Sequence, residues 1–216
     1  MAKIYPSLLS ADFGYLMEEI HRIEAGGADG IHFDVMDSHF VPNLSFGAPV
    51  LKWLKDRTSL ELDCHLMVEE PAKLYTDFAK AGAHRITIHS EACKNLDENL
   101  QAINLLGCKA GIAIRPETDF KILEPYLDQI DLILSMTVNP GYGGQKLIPE
   151  ALDKTAQLIA WLEQKSLREK ILVQIDGGVN SETAPAANSI GIDILVAGAA
   201  VFGTFDYKES IAALKL

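Results

Sequence analysis

Ile171-Leu-Val-Gln-Ile-Asp-Gly-Gly178 and Gly191-Ile-Asp-Ile-Leu-Val-Ala-Gly198 flank a stretch, Ser181–Ile190, that reads as a helix. Both flanking runs are almost continuously apolar. A strand with one wet face alternates apolar and polar residues, whereas a strand covered on both faces does not, and such strands belong to parallel sheets. Parallel neighbours need a long crossover connection, which the intervening helix supplies.

The same unit recurs outward along the chain. Strand-like runs lie at Lys3–Leu8, Gly30–Val35, Leu60–Met67, Arg85–His89, Lys109–Ile114, Leu132–Val138, Ile171–Asp176 and Asp193–Ala197. Helix-like stretches lie at Phe13–Glu24, with Asp12 as N-cap, and at Ala48–Asp56, Ala72–Ala81, Leu96–Leu106, Phe120–Leu127, Glu150–Gln164, Ser181–Ile190 and Tyr207–Leu214. Ala25-Gly-Gly-Ala-Asp29 and Ala81-Gly-Ala-His84 stand where a helix ends and feeds a strand. Eight such alternations predict an α/β fold, a (β/α)8 TIM barrel in one domain spanning residues 1–216. A doubly wound open sheet is the alternative.

Composition narrows the partners. The chain has 216 residues and a formal net charge of −11. Strong acidity argues against phosphate-backbone binding to nucleic acid and against docking on an anionic membrane. A bound phosphate would have to be held locally, by backbone amides or a few cations. Cys64, Cys93 and Cys108 form no C-x-x-C pair and are expected to be reduced and buried. The start lacks a signal-peptide core and no apolar run is long enough to span a bilayer, so a cytoplasmic protein is expected.

In barrels of this kind chemistry sits where the strands end. Ser7, His32 and Asp34, His65, His89, Arg115, Thr137 and Asn139, Asp176 and Gly198 end or follow the eight strands in turn. Residues two apart share a face, so His32, Asp34 and Met36 point one way, as do Asp63, His65 and Met67. Two imidazoles and two carboxylates, from His32, Asp34, His65 and Asp176, suit Zn²⁺, Fe²⁺, Mn²⁺ or Co²⁺. A lone strand His is more often a hydrogen-bonded core residue than a ligand, and His-x-Asp alone is a weak signal. Glycine-rich loops add a second theme. Asn139-Pro-Gly-Tyr-Gly-Gly-Gln145, Asp176-Gly-Gly178 and Ala197-Gly-Ala199 follow the last three strands. Glycine lets backbone N–H groups approach an anion closely, and the last loops of such barrels commonly hold phosphate.

Several long segments resemble the ribulose-phosphate 3-epimerase family. They are Pro6-Ser-Leu-Leu-Ser-Ala-Asp-Phe13, Ile31-His-Phe-Asp-Val-Met-Asp37, His39-Phe-Val-Pro-Asn43, Asp63-Cys-His-Leu-Met67, Met136-Thr-Val-Asn-Pro-Gly-Tyr-Gly-Gly-Gln145 and Asp176-Gly-Gly178. The resemblance implies a barrel of the ribulose-phosphate-binding type and epimerisation at C3 of a ketose phosphate. By position it implies that His32, Asp34, His65 and Asp176 ligate one divalent metal ion. It makes Asp34 and Asp176 the acid/base pair as well. It assigns Ser7, His65, Asp176, Gly141, Tyr142, Gly143, Gly144, Gly177, Gly178, Gly198 and Ala199 to the substrate, and Met36, Met67 and Met136 to the site lining. Four positions depart from the family's pattern: Ser38 for a common Gly, Arg115 for Asn, Ala199 for Ser, and Gln174 for an acidic residue. Arg115 adds a cation near the rim that could alter sugar preference.

The substrate expected is D-ribulose 5-phosphate, giving D-xylulose 5-phosphate through an enediolate. A hexulose phosphate such as D-allulose 6-phosphate, or a non-catalytic sugar-phosphate-binding barrel, is the alternative. A lysine-dependent decarboxylase or aldol-type synthase is disfavoured, because no Asp-x-Lys closes a strand. The expected partners are a small-molecule sugar phosphate and, as a homo-oligomer, further copies of the chain.

Overall fold

The computed structural model describes residues 1–216. Eight strands form one parallel sheet: β1 (Lys3–Pro6), β2 (Gly30–Met36), β3 (Glu61–Met67), β4 (Arg85–His89), β5 (Lys109–Ile114), β6 (Leu132–Met136), β7 (Leu172–Asp176) and β8 (Ile194–Ala197). Their order runs β1-β8-β7-β6-β5-β4-β3-β2, and a parallel bridge between Ser7 and His32 brings the two outer strands together. This is the expected (β/α)8 barrel, and the closed order removes the open-sheet alternative. Its last seam lies directly beside the first candidate ligand.

The helices are α1 (Leu16–Ala25), α2 (Ala48–Leu54), α3 (Tyr75–Ala81), α4 (Leu96–Leu105), α5 (Pro149–Gln164), α6 (Ala184–Ser189), α7 (Ala199–Phe202) and α8 (Tyr207–Leu214). Several stretches differ in detail from expectation. Residues Phe120–Gln129 coil as a 3-10 helix with Pro125 inside, where the missing N–H cannot sustain an α-helix. The stretch begun at Phe13 opens with a 3-10 turn capped by Asp12 before α1, and Ser181–Ile190 becomes helical only from Ala184. No helix is long and apolar enough to cross a membrane. None of the three cysteines is paired; Cys64 and Cys108 are buried, and Cys93 is half-buried.

Two faces of each strand do different work. Outward residues such as Ile31, Phe33, Cys64, Leu66, Ile86, Ile88 and Val173 are buried against the helices and form the main core. Inside the barrel the filling is lopsided. The wall from β5, β6, β8 and β1 is largely apolar, with Ala113, Leu132, Leu134, Met136, Ile194 and Tyr5 in one cluster. The wall from β2 to β4 holds buried His32, Asp34, Asp63, His65, Arg85, Thr87 and His89. Buried charges are costly unless paired. So many on one wall, directly under the strand ends, mark a site that stability alone does not require.

Candidate active site

Register assembles the cluster. β2 and β3 pair with Asp34 beside His65, His32 beside Asp63 and Met36 beside Met67. Asp176 ends β7, flanked by Met136 of β6 and Val196 of β8. One donor atom from each of His32, Asp34, His65 and Asp176 lies within 4.8 Å of the others. Asp34 Oδ1 is 3.2 Å from His32 Nε2 and 3.1 Å from His65 Nδ1. Asp176 Oδ2 is 3.9 Å from the first nitrogen and 3.8 Å from the second, and the two nitrogens are 3.4 Å apart. Ligands held about 2.1 Å from a tetrahedral Zn²⁺ stand roughly 3.4 Å from one another, so this donor set fits a divalent ion in both spacing and chemistry.

A further layer of buried groups holds the donors. Asp63 Oδ2 engages His32 Nδ1 at 2.8 Å and accepts from Gln174 Nε2 at 2.8 Å. His32 Nε2 is thereby the nitrogen left to face the cluster. Arg85 stands 3.6 Å from Asp63 and 3.1 Å from Glu61, and Tyr5 donates to Glu61 at 2.6 Å. On the other side His65 Nε2 meets His89 Nε2 at 2.9 Å, and His89 Nδ1 meets Glu91 at 3.1 Å. Ser7 Oγ donates to Asp34 Oδ2 at 2.5 Å.

The cluster's charge is unevenly distributed. Burial alone would raise the Asp34 carboxyl, but the charge of His32 and its hydrogen bond outweigh burial and hold the carboxyl well below the usual range. Asp176 goes the other way: burial, then the neighbouring Asp34 carboxylate, push it up to about 7. His32 is opposed by burial, yet Asp34 and Asp63 carry it above the ordinary histidine value. Burial holds His89 down at about 4, so it is neutral. Two nearby carboxylates thus differ in proton occupancy at neutral pH, and protons gather where a cation would otherwise neutralise the charge.

Above the four donors lies a cavity of about 320 Å³. Ser7, Asp34, Met36, Met67, Met136, Asp176, Gly198, Ala199 and the loops Gly141–Gly144 and Gly177–Gly178 line it, while His32 and His65 are fully buried beneath. Every residue expected at the site is therefore in the wall or directly under it. The N–H groups of Gly143, Gly144, Gly177, Gly178 and Gly198 have no hydrogen-bond partner within the protein. Gly178 has φ +70°, and a Cβ there would lie 2.2 Å from the Leu147 nitrogen; no other residue fits. Met36 and Met67 also pack with Val41, so lining and packing coexist in the same side chains.

Arg115 lies outside the cavity wall. Its guanidinium stacks on the Phe40 ring at 4.5 Å and donates to the Phe40 carbonyl at 3.3 Å, so the expected influence on sugar preference has no direct contact behind it. Asp63, Glu91 and Ser10 carry no assigned role in the sequence pattern. Asp63 was detectable, since it shares a face with His65. Ser10 lines the cavity beside Gly198, and only the fold brings it there.

The profile of the Ribulose-phosphate 3 epimerase family matches residues 3–202. Ribulose-phosphate 3-epimerase of Bacillus subtilis is 46% identical over 215 residues, covering 100% of this chain and 99% of that protein. The Escherichia coli K12 protein of the same name is 43% identical over 213 residues, covering 98% and 94%. Among solved structures, KGPDC from Streptococcus mutans superposes with a TM-score of 0.73 at 13% identity, covering 100% of this chain and 96% of that one. Orotidine 5'-phosphate decarboxylase from Pyrococcus horikoshii does so with a TM-score of 0.69 at 14% identity, covering 98% and 97%. These structural likenesses speak to the barrel alone.

Proposed function

The chain belongs to the ribulose-phosphate 3-epimerase family and is an isomerase of carbohydrate phosphates, and we propose that it interconverts D-ribulose 5-phosphate and D-xylulose 5-phosphate with one divalent ion, Zn, Fe, Mn or Co, held by His32, Asp34, His65 and Asp176. One observation carries the reading: of four ligand-capable atoms within 4.8 Å of one another, those of Asp34 and Asp176 line, and those of His32 and His65 lie beneath, the same cavity whose wall contains the glycine-rich loops.

Epimerisation at C3 of a 2-ketose phosphate removes the proton α to the carbonyl and returns one to the opposite face. It needs a base on one side and an acid on the other. Asp34 projects from β2 and Asp176 from β7, across the barrel mouth. Without the ion Asp34 is ionised and Asp176 is raised to about 7, and a carboxyl that ligates through one oxygen can still exchange a proton through the other. Carboxyls whose environments push them apart in this way divide the roles of base and acid, and the roles exchange in the reverse direction. An ion held by His32, Asp34, His65 and Asp176 would supply Lewis-acid stabilisation of the negative charge that develops as the proton leaves. Unpartnered N–H groups of Gly143, Gly144, Gly177, Gly178 and Gly198 hold the phosphate, aided by Tyr142, Gly141 and Ala199, without any cationic patch. That holds C3 between the two carboxyls. Ser7 contacts the sugar end, His65 lies beneath the cavity with both ring nitrogens engaged, and Met36, Met67 and Met136 keep water from the carboxyls.

A side-by-side assay with D-ribulose 5-phosphate and D-allulose 6-phosphate tests the substrate; faster turnover of the hexulose would reassign it. Asp34→Asn and Asp176→Asn each lower kcat by about 10²–10⁴-fold with unchanged circular dichroism. Wild-type rate in either variant would end the two-carboxyl scheme.

A further inference from the structure

We propose that His89 and Glu91 are positioning residues for the metal site, which hold His65 with its Nδ1 bare and turned toward the other three donors. The inference rests on the metal reading above and extends it to two residues outside the ligand set.

The geometry is a directed chain. Glu91 Oε2 lies 3.1 Å from His89 Nδ1. A carboxylate only accepts, so Nδ1 carries the ring proton and the far nitrogen of the neutral imidazole is an acceptor. That nitrogen, His89 Nε2, lies 2.9 Å from His65 Nε2. One proton fits between the two, and it belongs to His65. His65 Nδ1 is then left with a lone pair, 3.1 Å from Asp34 and 3.4 Å from His32 Nε2. His65 and His89 are fully buried, so no water can take over either role.

Two parts of the fold hold this chain in place. Glu91 Oε1 accepts from the Arg115 N–H at 2.8 Å and from the Thr118 hydroxyl, which fixes the carboxylate to the loop after β5. The Phe40 ring packs 4.8 Å from His89, and the Arg115 guanidinium covers Phe40. On the opposite side, Asp63 performs the equivalent task for His32. Each histidine donor thus has a carboxylate behind it, directly for His32 and through His89 for His65. Such partners fix tautomer and ring orientation, and their loss typically weakens metal binding by about 10–100-fold.

The test is a Co²⁺ titration of the chelator-stripped protein, followed by the visible d–d bands of the bound ion. His89→Leu removes the acceptor, and His89→Gln restores an acceptor toward His65 and a donor toward Glu91. Glu91→Ala removes the outer anchor at a partly exposed position, where folding is least at risk. Co²⁺ affinity falls about 10–100-fold in His89→Leu and in Glu91→Ala, with altered bands, and His89→Gln recovers most of the loss. If His89→Leu does not fold, Glu91→Ala and His89→Gln still decide. Parent-like binding in Glu91→Ala and in every His89 variant that folds overturns the proposal, as does a loss in His89→Gln equal to that in His89→Leu. If the parent itself takes up no Co²⁺, the metal reading of the preceding subsection fails instead.

Discussion

Asp176 is the residue at which environment most changes chemistry. An ordinary aspartate is ionised at neutral pH, yet burial and the nearby Asp34 carboxylate raise this one to about 7. A divalent ion needs the carboxylate, so binding must displace that proton. Below about 7 the proton competes, and above it the site is open. The raised value of His32 adds a second competing proton. Affinity for Zn²⁺ therefore falls at least about tenfold for each pH unit below 7, and the His32 proton carries the decline above neutrality as well; calorimetric titrations between pH 5.5 and 8.5 check this, and a flat profile would contradict it. The ligand types themselves were legible, because a period of two on a strand fixes which side chains share a face. Asp63 and Glu91 went unassigned because their roles depend on neighbouring strands and loops. Gln174 shows the same limit. Its amide donates to Asp63, which an acidic residue could do only when protonated, and nothing in its own strand announces that contact.

At the scale of elements, the strands were the most legible feature. Burial on both faces leaves apolar runs, and all eight lie where those runs stand. Type was harder to read than place for Phe120–Gln129, whose apolar spacing suits an α-helix while Pro125 prevents one. Ser38, in the loop after β2, adopts φ 60°, a left-handed conformation that explains why glycine would be at home there. The loops after β6 and β7 interlock more tightly than sequence could show. Gly178 abuts the backbone of Leu147 and Gly177 abuts Val138, so the two glycine-rich loops pack directly on one another. Gly178→Ala forces both a left-handed alanine and a backbone clash, and it destabilises the protein by on the order of 2 kcal/mol or more. Chemical denaturation measures the loss, and a change within experimental error would show that the loop adapts freely.

For the whole molecule, the site and the barrel seam coincide. The four donors come from β2, β3 and β7, and the Ser7–His32 bridge brings β1 to β2 at the same level. An ion there ties distant strands together and stabilises only the folded state. At a hundredfold excess of free ion over Kd the gain is about 2.7 kcal/mol, which calorimetry reads as a raised Tm. The alternation of strands and helices made the barrel legible; its lopsided interior was not, because it depends on which faces meet inside. The proposed chemistry requires this barrel mouth to perform epimerisation through one bound divalent ion and two carboxyls. The most direct measurement is the epimerisation rate of the protein after exhaustive chelation, with and without added metal. The expected rate is near background and returns as one ion per chain is restored. Full turnover by protein shown by elemental analysis to contain no divalent metal would contradict it.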